Sequence, residues 1–241
     1  MKKSVFKRKV MLDYIDEFEE LYNKRPIIDN SGGTNSSHLF PTFVYCKEKK
    51  PKLIIESGIW KGQGTWLFEK ASNAKIISFD INLNNLQYRS DRATYLQQDI
   101  MTSNIDDYIK DYHPDDILIF LDDHQDFNKR LGFFLDKGIK HIIYEDNYPP
   151  EHGDCLSVKK IISGDRQIEE SNREKIIDCI EHYEESPPLF DSEKNRFGES
   201  WYLYETRKPL LDCDLKEKYL QFYNDRLGYT WLAYIRLKNR K

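Results

Sequence analysis

The chain has 241 residues and a formal net charge of −4, with 32% charged, 39% hydrophobic and 14% aromatic residues. This length suits one α/β domain with additions, and the apolar and aromatic content excludes a disordered chain. The mild acidity leaves no general footprint for nucleic acid, and no apolar run reaches the ~18 residues that a membrane span needs.

The N-terminus lacks the apolar region of a signal peptide, and its basic opening reads as a solvated terminus. Residues 10–22 place Val10, Leu12, Ile15, Phe18, Leu21 and Tyr22 at helical spacing, which predicts an amphipathic leading helix. Residues 26–42 are rich in glycine, serine and asparagine and read as a loop. Gly32 and Gly33 fit a plain turn, or a lid over residues 28–42 that brings His38 near a site. Phe40 to Cys46 resumes a helix, and Pro51 ends the connection.

Residues 53–64, Leu-Ile-Ile-Glu-Ser-Gly-Ile-Trp-Lys-Gly-Gln-Gly, are the stretch from which the chemistry is read. Leu53 to Ile55 fits a strand buried on both faces, Glu56 closes it, and Gly58, Gly62 and Gly64 lead into a helix at Thr65. Glycine permits a tight turn and close approach of a ligand, and the helix start offers free N–H groups. Dinucleotide sites use G-x-G-x-x-G against a pyrophosphate. Here an acid precedes the first glycine, which would repel a pyrophosphate and suits a cationic ligand.

Lys75 to Ile81 reads as the second strand and carries Asp80, an acid placed to accept from ribose hydroxyls. Residues 86–92 read as a short helix. Ala93 to Gln97 is a third strand, and Gln98 and Asp99 follow it, where an acid can accept from an adenine amino group. Residues 103–111 read as another short helix. Ile117 to Leu121 is a fourth strand that ends in Asp122-Asp123-His124. A helix from about Gln125 to Lys137 has Phe127, Leu131, Phe134 and Leu135 as its apolar stripe. His141 to Tyr144 is a fifth strand that ends in Glu145-Asp146-Asn147. This alternation predicts an α/β fold with a doubly wound, mostly parallel sheet, whose ligands sit beyond the carboxyl ends of the strands.

Residues 151–167 read as loop and short helix, 171–185 as an exposed helix broken by Pro187 and Pro188. Trp201 to Glu205 and Thr230 to Leu237 alternate as strands that complete the sheet. The aromatic residues Trp201, Tyr202, Tyr204, Tyr223, Tyr229 and Trp231 read as core, with stacking on a sugar face as the other use. Cys46, Cys155, Cys179 and Cys213 form no C-x-x-C pair and read as reduced thiols of a cytoplasmic protein. No linker or repeat divides the chain, so residues 1–241 are expected to form a single domain. Residues 1–50 would supply helices and lid, 51–150 the core of the site, and 151–241 the acceptor side.

Asp122, Asp123, Glu145 and Asp146 crowd two adjacent strand ends, ~5 Å apart. Such carboxylates repel one another unless a cation neutralises them, and oxygen ligands suit Mg²⁺, or Mn²⁺.

The acid–glycine order resembles the first motif of class I S-adenosylmethionine (SAM) methyltransferases. The pair Ile-Phe-Leu-Asp-Asp-His and Ile-Ile-Tyr-Glu-Asp-Asn resembles the metal motifs of divalent-metal-dependent O-methyltransferases of macrolide sugars and of cephalosporin biosynthesis, and more loosely those of catechol enzymes. The resemblance covers roughly residues 53–150. It implies a Rossmann-like methyltransferase fold with seven strands and helices on both faces, SAM as cofactor, and a carbohydrate or other small-molecule hydroxyl as acceptor. A phenolic or natural-product hydroxyl is the second acceptor class, and a homo-oligomer is compatible with it. Glu56, Ser57, Gly58, Gly62, Gly64, Asp80, Gln98, Asp99 and Asp122 would contact SAM. Asp122, Glu145 and Asp146 would bind the metal, with His124 and Asp123 as catalytic residues and His124 the candidate base. The sugar enzymes usually leave two residues between the metal Asp and the His. Only Asp123 stands there in this chain, so either Asp122 or Asp123 is the ligand, and the base role of His124 stays open. Gln125 stands near the lysine of the catechol enzymes and argues against that branch. Two readings outside the family are a nucleotide-binding oxidoreductase and a non-catalytic SAM-fold module.

Overall fold

A computed structural model describes residues 4–191, 207–226 and 231–239. The helices are α1 (Arg8–Asp13), α2 (Ile15–Asn23), α3 (Ser36–Lys49), α4 (Gln63–Ala71), α5 (Asp106–Ile109), α6 (Phe127–Asp136), α7 (Val158–Ser163), α8 (Glu170–Cys179) and α9 (Leu220–Asp225). The strands are β1 (Leu53–Ser57), β2 (Lys75–Asp80), β3 (Ala93–Gln97), β4 (Ile117–Leu121), β5 (His141–Tyr144), β6 (Ile180–Glu185) and β7 (Ala233–Leu237).

The described residues form one seven-stranded sheet in the order β3-β2-β1-β4-β5-β7-β6. The pairs from β3 to β5 are parallel, and β7 runs antiparallel to both β5 and β6. This is the doubly wound, mostly parallel seven-stranded sheet that was expected. β1 and β4 are buried along their whole length because helices cover both faces, which is why they read as unbroken apolar runs. One core lies between the sheet and α1–α4 and α9, around Phe18, Phe40, Phe43, Phe68 and Phe120. The second lies under α5–α8, around Phe79, Phe127, Phe134 and Tyr144.

Four expectations are corrected. The leading helix breaks at Tyr14 into α1 and α2. The loop of residues 26–42 ends early: Asn35 caps α3 by accepting from the Ser37 N–H at 2.8 Å, so the helix begins at Ser36 and its first eleven residues are buried. Residues 86–92 are not helical; turns occupy the segment between β2 and β3. The helix expected over 171–185 ends at Cys179, and Ile180–Glu185 is instead the edge strand β6. The strand expected at Trp201–Glu205 lies outside the described residues, and Thr230–Leu237 is confirmed as a strand from Ala233. No described helix is long and apolar enough to cross a membrane.

Candidate active site at the carboxyl rim of the sheet

Register fixes the site. Ser57 pairs with Phe79 and with Leu121, and Leu121 pairs with Tyr144. The residues that follow, Gly58, Asp80, Asp122 and Glu145, therefore emerge at one level on one rim. Two rungs extend it, from the Asp122 N–H to the Ser57 carbonyl and from the Glu145 N–H to the Leu121 carbonyl, both 2.8 Å.

A cavity of about 360 Å³ opens on this rim, lined among others by Ser57, Gly58, Trp60, Asp80, Ile81 and Gln98. Asp99, Asp122, Asp123, His124 and Arg130 complete its polar wall. Eight of the nine residues expected to contact SAM therefore line one space or its edge: Ser57, Gly58, Asp80, Gln98, Asp99 and Asp122 directly, and Glu56 and Gly64 from a small adjoining space beside Gly58 and Asp122.

The glycines also answer to contacts within the protein. A Cβ on Gly58, whose φ is +91°, would sit 1.6 Å from the Asp122 carbonyl oxygen. One on Gly62, at φ +96°, would sit 2.6 Å from the Tyr88 carbonyl, and one on Gly64 would sit 2.4 Å from Glu56 Oε1. Glycine is required here because protein backbone and side chain approach closely. Gly62 and Gly64 do not line the larger cavity.

Glu56 is buried beneath the α4 start and accepts from Thr65 Oγ1 at 2.5 Å and Ser78 Oγ at 2.6 Å. Burial pushes its carboxyl up to about 7 against those hydrogen bonds. Asp80 holds the turn itself: Oδ2 accepts from the N–H groups of Ile59 (2.8 Å) and Trp60 (3.2 Å), and Oδ1 from Asn82 (2.9 Å). Oδ1, which takes a single donor, keeps a lone pair that can face the cavity.

The two adjacent aspartates part company. Asp123 Oδ2 accepts from Ser57 Oγ at 2.6 Å and from Arg130 Nη2 at 2.7 Å. Arg130 Nη1 and Nη2 also donate to Asp99, at 2.6 and 3.3 Å. Asp122 joins His124 and Asp146 instead, in a group whose ligand atoms all lie within 4.8 Å of one another. Of the two aspartates, Asp122 is the one that belongs to a group able to hold a metal ion. Glu145 stands outside this group; its Oε1 lies 3.4 Å from His38 Nδ1. Burial drives His38 down to about 3, and burial with Asp146 beside it raises Glu145 well above the carboxylate range.

His124 adopts φ +53°, a left-handed backbone that a side chain rarely takes. Its N–H donates to Asp146 Oδ2 at 2.9 Å, while Nδ1 lies 3.2 Å from Asp154 Oδ1 and 3.5 Å from Asp146 Oδ1. Burial opposes its protonation, yet Asp146 and Asp154 outweigh that and raise its pKa. Asp146 is fully buried, and burial pushes it to about 6 in spite of His124. Its Oδ1 has no hydrogen-bond donor among the described residues.

Sequence reasoning missed Arg130, Trp60 and Ile81. Arg130 sits between Phe127, Leu131 and Phe134 on the buried stripe of α6, and an arginine in that stripe was the available signal. Ile81 is 74% exposed directly after Asp80, an apolar side chain left facing the cavity. Trp60 carries the loop before α3, donating from Nε1 to the Ser31 carbonyl at 3.1 Å, and its neighbour Lys61 binds the Asp29 carbonyl. Of the C-terminal aromatics, Trp231 is buried and Tyr223 packs edge-on against Phe190, as core; Trp201, Tyr202, Tyr204 and Tyr229 lie outside the described residues.

No protein-family model matches this chain, and no curated protein matches it. Among solved structures, it is similar to an O-methyltransferase from Bacillus cereus in complex with SAH, at 13% identity and TM-score 0.45, covering 95% of this chain and 90% of that one. It is similar to CmcI in an apo structure, at 16% identity and TM-score 0.44, covering 61% of this chain and 63% of that one. A SAM-dependent methyltransferase from Archaeoglobus fulgidus is similar at 14% identity and TM-score 0.43, covering 94% of this chain and 100% of that one. The chain thus spans less than two thirds of the CmcI chain.

Proposed function

We propose that this protein is a SAM-dependent O-methyltransferase that acts on a hydroxyl of a sugar or glycoconjugate, with a divalent ion held at the acidic rim. The observation that carries the reading is one cavity lined by the strand-end acids Asp80, Asp99, Asp122 and Asp123, with one guanidinium, Arg130, bound to Asp99 and Asp123. An acidic space of this kind repels a pyrophosphate and suits a ligand that carries an ammonium and a sulfonium. This disfavours the nucleotide-binding oxidoreductase. When bound, SAM supplies a methyl carbon on a positive sulfur, which departs as a neutral thioether.

The residues fit a metal. Asp122 and His124 belong both to the cavity lining and to the three-residue group with Asp146. Asp146 keeps a buried oxygen with no donor, which is costly without a cation. A divalent ion held there would act as a Lewis acid on an acceptor hydroxyl. The carboxylates of Asp122 and Asp146 would supply oxygen ligands, which suit Mn²⁺ as well as Mg²⁺. His124 directs Nδ1 towards Asp146 and Asp154, so its Nε2 is the nitrogen that can take a proton from the hydroxyl. Asp123 holds Ser57 and Arg130 in place through Oδ2. The carbohydrate acceptor is inferred from the resemblance of the two metal motifs. A phenolic hydroxyl is the alternative, and a non-catalytic module would bind SAM without any acceptor or metal response.

The test is methyl transfer from SAM to a panel of hexosides, deoxyhexosides and phenols, read by mass spectrometry. EDTA should abolish transfer, and Mg²⁺ or Mn²⁺ should restore it. Asp146→Asn should lower it at least ~100-fold and stay insensitive to added metal, while SAH binding persists. Full transfer after exhaustive chelation contradicts the metal. Transfer to phenols alone contradicts the sugar.

A further inference from the structure

Arg130 is 4% exposed, and its guanidinium is bound to two carboxylates, those of Asp99 and Asp123. It stands on α6 behind the cavity and joins the ends of three strands. Asp99 follows β3, Asp123 follows β4, and Ser57 ends β1 and donates to Asp123. We propose that Arg130 is the positioning residue that makes the cavity select adenine, by fixing the Asp99 carboxylate as the acceptor for the exocyclic amino group of the base. The inference rests on the SAM reading above.

The geometry divides the labour at Asp99. Its Oδ1 is fully engaged, accepting from Arg130 Nη1 at 2.6 Å and from the Met101 N–H at 2.7 Å. Its Oδ2 takes only the longer bond from Arg130, 3.3 Å, and Asp99 lines the cavity. One oxygen is anchored and the other is left able to accept. The planar guanidinium is suited to this, because its donors form a rigid fork that can hold two carboxylates at once. Its second arm is tied to Asp123, and Phe127, Leu131 and Phe134 bury the helix around it. Without that cation, two carboxylates would face each other across the cavity wall and turn apart.

A fixed carboxylate discriminates between bases by one group. Adenine offers an amino donor where hypoxanthine offers a carbonyl oxygen, and a carboxylate cannot pair with the latter. A residue that merely supported the fold would weaken both bases alike, whereas a residue acting through Asp99 affects only the difference between them.

The experiment is calorimetric titration of S-adenosyl-L-homocysteine and S-inosyl-L-homocysteine into the wild type, Asp99→Asn, Arg130→Gln and the double variant. The wild type should prefer the adenosyl compound by roughly 10- to 100-fold. Each single variant should bring that preference to within about threefold, and in the Asp99→Asn background the Arg130 change should alter it no further. Arg130→Lys keeps the buried cation if the glutamine variant does not fold, and it should also lose most of the preference because it lacks the fork. An undiminished preference in a folded Arg130 variant overturns the proposal, as does an equal preference in the wild type or additive losses in the double variant. Absence of any adenosyl binding to the wild type overturns the methyltransferase reading instead.

Discussion

Glu56 shows what a single residue in the acid–glycine turn does. The sequence places a carboxylate beside three glycines, which reads as a contact for a cationic ligand. The fold buries it under Gly64, Thr65 and Ser78, and burial raises it from the usual 4.5 to about 7. The folded chain therefore binds a proton there more tightly than the unfolded chain does. Glu56 contributes stability that is present below about pH 4.5 and is lost as pH rises through about 7. Glu56→Gln removes that loss. Denaturant melts at pH 5 and pH 8 should show the variant gaining on the wild type by on the order of 3 kcal/mol between the two. Parallel pH profiles would mean that Glu56 is already ionised in the fold. At this scale the sequence showed which residues stand at the strand ends: Ser57, Asp80, Asp99 and Asp122 all reach the cavity lining. It did not show which way each carboxylate turns. Asp122 and Asp123 are chemically identical, and only Ser57 and Arg130, brought in from other elements, separate them.

Among the elements, the segment before α3 is the one whose role the structure redraws. The sequence leaves a lid over residues 28–42, but α3 takes everything from Ser36 onward. What remains is a short strap pinned to the glycine turn by Trp60 and Lys61. Gly33 is needed at that seat, since a Cβ there would lie 2.9 Å from Trp60 Cδ1. Trp60→Ala should free the strap and raise amide exchange over residues 29–34 by about tenfold or more, and SAH should slow exchange there in the wild type. Exchange that neither change alters would make the strap part of the rigid frame. The core strands were legible because helices on both faces force apolar runs, and β3, β4 and β5 have the expected bounds. β6 was not. Ile-Glu-His-Tyr-Glu-Glu is a half-exposed edge strand with polar residues on both faces, and its charges resemble those of a solvated helix. Its pairing with β7 is set by long-range contact, which no local pattern encodes.

Across the whole molecule, function follows from parallel topology. Every parallel strand delivers its carboxyl end to one rim, so acids separated along the chain by β-α units gather around one cavity. The cavity and the Asp122, His124 and Asp146 group share that rim, which is why cofactor and metal are read as neighbours in one reaction. Cofactor binding by the acidic strand ends is the central claim. Calorimetric titration of SAH into the wild type and Asp80→Ala tests it most directly. The account predicts a dissociation constant in the micromolar range for the wild type, without added metal, and at least ~10-fold weaker binding for the variant, which loses the cavity-facing lone pair of Oδ1 and the grip on the turn. No heat with the wild type, or an unchanged constant in the variant, would contradict it.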